Sequence, residues 1–180
     1  AAGLRLLQWR EPNWPGGVSA PDLREALVTV LARCRAAGAR VLVNSMHPTQ
    51  WWALADGVHL RSTDAANLST RPALAEGALL GVSTHTLAEL AQARALNADF
   101  AVLGPVLPTP SHPGVLGMGW AGFAELNAQA GLPVYALGGD HHALLDAALH
   151  LAGCQQVAMP LPGDVLVLSP ASRLLHLAIM

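Results

Sequence analysis

The sequence predicts an α/β protein built as a (β/α)8 barrel of the TIM type, and three observations carry that expectation. Short apolar runs of four to seven residues recur along the chain, each closed by a polar or glycine-containing turn. Most are followed by a segment whose apolar residues repeat at three-to-four spacing, which is the strand-then-helix alternation of a parallel sheet. The strand-like runs number eight, which suits a closed barrel with its ligands at the strands' C-terminal ends. An open doubly wound sheet is the alternative, but its G-x-G-x-x-G fingerprint is absent.

The elements follow in order. "LRLLQW" (Leu4–Trp9) reads as the first strand. "SAPDLREALVTVLARCRAAG" then reads as a helix, with Ser19 as N-cap, Pro21 and Asp22 in the first turn and Gly38 at the end. "RVLVN" (Arg40–Asn44) and "GVHL" (Gly57–Leu60) are strands, with weaker helical segments in "HPTQWWALA" and "STDAANLS". "LLGVS" (Leu79–Ser83) leads into a helix over Thr84–Asn97, and "FAVLGPV" (Phe100–Val106) into a proline-rich loop and a helix over Gly119–Gly131. "PVYALGG" (Pro133–Gly139) precedes a helix over Asp140–Gly153 capped by Asp140. "QQVAM" (Gln155–Met159) and "VLVLS" (Val165–Ser169) complete the set, and a last helix follows in "PASRLLHLAIM". Pro160–Asp164 reaches about 17 Å at full extension, too short for the crossover helix that adjacent parallel strands need.

Composition narrows the classes further. With 180 residues, 52% hydrophobic and 12% charged, the chain suits one domain over residues 1–180 with a sizeable core. All ten basic residues are Arg, and twelve acids leave a net charge of -2, so no basic field points to nucleic acid. The longest apolar runs fall short of the roughly 18 to 20 residues that cross a bilayer, so no membrane partner is expected. Cys34 and Cys154 lack C-x-x-C spacing, which argues against a disulfide scaffold or zinc site and for a reduced, cytoplasmic setting. No secretory or transit segment is visible, and the abrupt start at "AAGL" reads as cut from something longer.

Six segments resemble, in order, the motifs of the thiamine phosphate synthase and TenI (thiazole tautomerase) family. They are "LLQWRE", "VLVN", "ADGVHLRSTD", "GVSTHT", "ADFAVLGPVLPTPSHPG" and "PVYALGG". The resemblance covers nearly the whole chain and implies a (β/α)8 barrel. It also implies a circular permutation: the family's first strand and helix precede the segment matched by "LLQWRE", and here "VLVLSPASRLLHLAIM" at the C-terminus stands in for them. In a barrel of that order Val165–Ser169 would pair between Gln155–Met159 and Leu4–Trp9.

The resemblance implies a site residue by residue. Gln8 and Arg10 match the family's Q-x-R, with Pro12 in place of a lysine. Asn44 matches the Asn of N-D, but the metal-binding Asp beside it is Ser45 here. Asp64 matches the second metal Asp, Ser83 the serine of G-V-S, and His112 replaces the lysine of P-T-x-T-K. Thr109, Ser111, Gly138 and Gly139 match phosphate-binding positions, and a helix opening at "GGD" suits a phosphate. Synthase chemistry expels pyrophosphate with help from Mg²⁺ and basic side chains. The missing lysines and carboxylate weigh against it, because one directed donor is worth about 3 to 4 kcal/mol, with Arg10 or Arg61 as partial compensation; Mg²⁺ is expected only if that chemistry is retained.

TenI-type relatives instead move a proton on a thiazole ring, which needs an acid or base near neutrality, and His85 falls on the tautomerase histidine's position. The leading expectation is therefore a thiazole phosphate or similar phosphorylated heterocycle as partner, with isomerase chemistry at His85. A non-catalytic barrel fused to a Nudix hydrolase domain is the alternative, and residual synthase activity ranks third; a homo-oligomer is left open. Plainer readings stand beside these. His85 simply caps the following helix in the plainer reading, and Asp64 lies in a helix's first turn. Strand alternation turns His59 into the barrel or its wall in a structural role. The side chains of Asp140, His141 and His142 diverge too much to share a metal, and the adjacent Trp51 and Trp52 suit packing better than a ring platform shared with Trp9 and Trp14.

Overall fold

A computed structural model describes residues 5–108, 114–138, 164–168 and 174–178. The elements run β1 (Leu6–Trp9), α1 (Pro21–Ala36), β2 (Arg40–Asn44), a 3-10 helix (Thr49–Leu54), β3 (Gly57–Leu60), α2 (Ser62–Ala66) and β4 (Leu79–Thr84). They continue with α3 (Leu87–Ala95), β5 (Phe100–Leu103), α4 (Gly119–Ala130), β6 (Val134–Ala136), β7 (Asp164–Leu168) and β8 (Leu174–Ala178). Strands β1 to β6 pair in sequence order, every pair parallel.

Alternation along these strands sorts their side chains. Leu7, Trp9, Val41 and Val43 pack with Leu23, Leu27 and Leu31 of α1, while Val58, Leu60, Leu80, Val82, Ala101 and Leu103 pack against α2, α3 and α4. The opposite face carries Leu6, Leu42, Phe100 and Val102 in one cluster with Tyr135. In a flat sheet β2 and β5 would stand about 14 Å apart. Their sharing a cluster shows that the sheet curls, with this inner face concave.

The helices start and stop for identifiable reasons. Pro21 opens α1, whose N-cap is Ala20 rather than Ser19 and makes no side-chain cap. Thr86 caps α3 by accepting the Glu89 amide, so that helix starts at Leu87 rather than Thr84. Gly131 ends α4 in the left-handed region, φ +69°, where glycine carries no Cβ penalty. "TQWWAL" forms a 3-10 helix that sets Trp51 into the core beside Trp9, the packing role expected of these tryptophans.

The C-terminal strands differ from expectation. Leu174–Ala178, expected as helix, is a strand pairing parallel with β1, and Asp164–Leu168 pairs antiparallel with it. Val165–Leu168 therefore pairs with β8 and not with β1, and the strand–helix succession expected at the C-terminus is two strands instead. The five residues 169–173 can join antiparallel neighbours but cannot hold a crossover helix. An apolar run in seven residues, "LLHLAIM", fits a short strand as well as a helix. The hydrogen-bonded order is β6-β5-β4-β3-β2-β1-β8-β7, with the six-stranded parallel sheet as its body. Expected helix Asp140–Gly153 and strand Gln155–Met159 lie outside the described residues. Among the described residues, no helix is long and apolar enough to cross a membrane.

Candidate functional site

The inner face turns polar toward the strands' C-terminal ends. Gln8 on β1, Asn44 on β2 and His59 on β3 are buried there, and Ser83 on β4 is partly buried. Asn44 Nδ2 donates to Gln8 Oε1 at 2.8 Å, and Asn44 Oδ1 accepts the Met46 amide at 3.0 Å. The first bond ties neighbouring strands together, and the second turns the chain after β2. His59 Nε2 lies 2.9 Å from Ser83 Oγ, and desolvation lowers its pKa to about 4, so the ring is neutral at neutral pH. The structural role expected of His59 holds, and its partner Ser83 is one of the expected ligand-binding residues. Gly81 makes this possible: a Cβ there would come within 2.7 Å of His59 Nδ1 and 2.5 Å of Phe100 Cζ.

At the rim, Arg61 and Asp64 form a forked ion pair. Arg61 Nε and Nη2 donate to Asp64 Oδ2 and Oδ1 at 2.7 and 2.9 Å. Ser45 Oγ donates to Asp64 Oδ2 at 2.5 Å and accepts the Arg61 amide at 2.9 Å. Burial pushes the Asp64 carboxyl upward, but the hydrogen bonds from Arg61 and Ser45 prevail and hold it below the usual carboxylate range. A Mg²⁺ ion asks for near-octahedral oxygen donors, commonly including free carboxylates. Asp64 with both oxygens engaged, Ser45 and a guanidinium do not fit that demand. Among the described residues no cluster of three His, Cys, Asp or Glu gathers.

The loop after β1 is held from beneath by His47, which the sequence reading did not single out. Its Nδ1 donates to the Val18 carbonyl at 2.8 Å and its Nε2 accepts the Glu11 amide at 3.2 Å, which fixes the neutral tautomer. The ring stacks on Trp51 with centroids 5.4 Å apart. Arg10, the residue before Glu11, is exposed on this loop. Desolvation lowers the His47 pKa and outweighs the Val18 hydrogen bond and the Glu11 charge, which push it up.

His85 follows β4 and is partly exposed, with Nδ1 3.0 Å from Glu89 Oε2. Its backbone amide also donates to that carboxylate, so the capping and acid–base readings share one geometry. His85 lines a cavity of about 330 Å³ with Gly104, Pro105, Val115, Leu116 and Met118. Ser83 lines a separate cavity of about 240 Å³ with Ser62, Ala65, Val82 and Gln92. The structure thus bonds Gln8 to Asn44, sets Ser83 on the same face beside His59, ties Asp64 to Ser45 at the end of β2, and puts His85 on another cavity.

Gly138, expected on a phosphate, has φ +98° and presses on the proline loop: a Cβ would come within 2.8 Å of Pro105 Cα. Close backbone approach explains that glycine without a ligand. Thr109, Ser111, His112 and Gly139 lie outside the described residues, as do Asp140, His141 and His142.

The opposite end of the sheet is built for stability. Asp56 Oδ2 accepts the Val41 amide at 2.9 Å while Arg35 grips Oδ1. Asp99 Oδ2 likewise accepts the Leu80 amide at 2.6 Å while Arg71 grips it. The repeated Ala-Asp dipeptides before β3 and β5 carry this device, a signal visible in the sequence but not read. Arg61, which the sequence offers with Arg10 as partial compensation for the missing charge, stands three residues before Asp64 and hence on the same side of a helical turn.

A family profile described as thiamine monophosphate synthase matches residues 1–160. The chain belongs to that family. A thiamine-phosphate synthase of Parasynechococcus marenigrum is 38% identical over 158 residues, covering 88% of this chain and 44% of that protein. A thiamine-phosphate synthase of Thioalkalivibrio sulfidiphilus is 32% identical over 158 residues, covering 87% of this chain and 72% of that protein. The chain thus spans less than half the length of the first relative and nearly three-quarters of the second. A solved thiamine phosphate pyrophosphorylase from Pyrococcus furiosus superposes with a TM-score of 0.56 at 21% identity, covering 83% of this chain and 81% of that one. That likeness supports the thiamine monophosphate synthase fold. The family membership points to thiamine metabolism, and the relatives carry synthase names. The leaning toward isomerase over synthase gains no support from them.

Proposed function

We propose that the chain binds a phosphorylated heterocycle at the C-terminal ends of its strands and supports formation of thiamine phosphate, the product in the relatives' names. The observation that carries this reading is the polar group Gln8, Asn44 and Ser83 on the concave face, with a charged cluster at its rim. In such a transfer a carbon–oxygen bond to pyrophosphate breaks and the thiazole nitrogen takes up that carbon. Gln8 and Asn44 brace each other to present a fixed amide edge, and His59 fixes the Ser83 hydroxyl near the reacting rings. Arg10 supplies positive charge, and Arg61 its N–H donors not taken by Asp64, for the departing anion. Arg61 weakens the charge-loss argument against the synthase, because it places a cation where a carboxylate and a metal were expected.

A second reading follows from His85. With Nδ1 held by Glu89, Nε2 is the ring nitrogen left to exchange a proton beside the 330 Å³ cavity. That geometry suits thiazole tautomerisation. One assay separates the readings: the protein is incubated with the thiazole carboxylate phosphate tautomer, with and without the pyrimidine diphosphate. Thiamine phosphate formed only when both are present, and reduced roughly 100-fold in Ser83→Ala, supports the synthase reading. Isomerisation of the thiazole alone, lost in His85→Ala, supports the second. Saturable binding with neither reaction rejects both in favour of a ligand-binding domain.

A further inference from the structure

The family resemblance implies a divalent ion held by two carboxylates at the ends of β2 and β3, and the structure places something else there. Asp64 supplies a carboxylate, Ser45 stands in the other position, and the Arg61 guanidinium closes on Asp64 through two donors. Ser45 is itself locked: its hydroxyl bridges Asp64 and the Arg61 amide, and its own amide donates to the His59 carbonyl at 2.9 Å. A metal ion entering this cluster would have to displace a planar, bidentate partner and would gain only one carboxylate. The charge nevertheless balances. One guanidinium cancels one carboxylate, as a divalent ion cancels two.

We infer that Arg61 is the resident cation of this site in place of a divalent metal, and that an anionic ligand is met by the guanidinium N–H groups that Asp64 does not take. A guanidinium carries five N–H donors in a fixed fork. Asp64 takes two of them, leaving three for phosphate oxygens. The Arg61 side chain is 49% exposed, so these donors are open to a ligand. Asp64 then orients the cation, and Ser45 orients Asp64. The arrangement differs from a metal in kind: it holds one fixed charge, needs no ion supply and cannot be removed by chelators. The anion-binding half rests on the function proposed above, whereas the metal half rests on the cluster alone.

Two titrations test the inference. Wild-type protein is titrated with MnCl₂, following free Mn²⁺ by electron paramagnetic resonance, and with inorganic pyrophosphate by calorimetry, with EDTA or with Mg²⁺. Mn²⁺ should show no saturable binding to the wild type, whereas Ser45→Asp combined with Arg61→Gly should bind it on the order of tenfold or more tightly. Pyrophosphate should bind the wild type equally in EDTA and Mg²⁺, and roughly tenfold or more weakly in Arg61→Gln. Saturable Mn²⁺ binding by the wild type that disappears in Asp64→Asn overturns the metal half. That measurement stands even if the double variant does not fold. Pyrophosphate binding that requires Mg²⁺ overturns the anion half. Failure to bind pyrophosphate under either condition rejects the anion half together with the proposed function, while the Mn²⁺ result decides the metal half separately.

Discussion

The imidazole of His59 and the hydroxyl of Ser83 meet at 2.9 Å on the concave face, from adjacent strands, with the imidazole almost wholly buried. A neutral histidine thereby becomes part of the wall that holds a candidate ligand-binding serine. Because burial favours the uncharged ring, His59 also couples stability to pH.

The unfolded chain titrates His59 near 6.5 and the folded chain near 4. Between these values the unfolded state binds more protons, so stability is fully present above pH 6.5 and is lost as pH falls toward 4. The loss across that window is about 3 kcal/mol. His47, whose pKa is also lowered, contributes with the same sign. Urea unfolding at pH 7 and pH 4.5 measures the effect, and His59→Gln should flatten the slope while lowering stability at pH 7. A slope unchanged by that substitution would count against the assignment.

Two glycines should respond oppositely to alanine. Gly81→Ala drives a methyl into Phe100 and His59, and should destabilise by about 1 to 3 kcal/mol. Gly122, inside α4, would place its methyl 3.4 Å from Met118 Cβ, so Gly122→Ala should stabilise by about 0.5 to 1 kcal/mol. Thermal melts of both variants, beside the parent, check the contrast.

Removing Asp99 should harm the fold but not the site. Asp99→Ala leaves the Leu80 amide, on a fully buried residue, without its side-chain acceptor and removes the carboxylate from Arg71, which keeps the Asn97 and Ala78 carbonyls. The expected cost is about 2 kcal/mol. Pyrophosphate affinity of the folded fraction should be unchanged, since Asp99 sits at the opposite end of the sheet. Denaturant titration and calorimetry read the two quantities separately.

At α3 the capping role can be parted from chemistry. Thr86→Ala removes the side chain that accepts the Glu89 amide and should cost about 1 kcal/mol. His85→Ala keeps the backbone amide that Glu89 accepts and should shift the melting temperature far less. If His85 exchanges protons with a ligand, its variant loses turnover at nearly unchanged stability. Parallel melts and assays of the two variants decide this.

Sequence alone determined the parallel strand-and-helix body from β1 to β6, because alternation in strands and three-to-four spacing in helices are local properties of consecutive side chains. Arg40–Asn44 and Gly57–Leu60 match their expected bounds for that reason. Through the motif resemblance it also offered Gln8, Asn44, Ser83 and Asp64 as candidate site residues. Tertiary structure alone decided which partners those residues have. Nothing local says that His59 meets Ser83 across a strand boundary, or that Ser45 joins Arg61 on Asp64, since both contacts depend on register between strands. The C-terminal segment shows the same limit from the other side. "LLHLAIM" carries no periodicity strong enough to choose helix or strand, so its pairing with β1 was settled by an open edge of the sheet and a connection too short for a crossover.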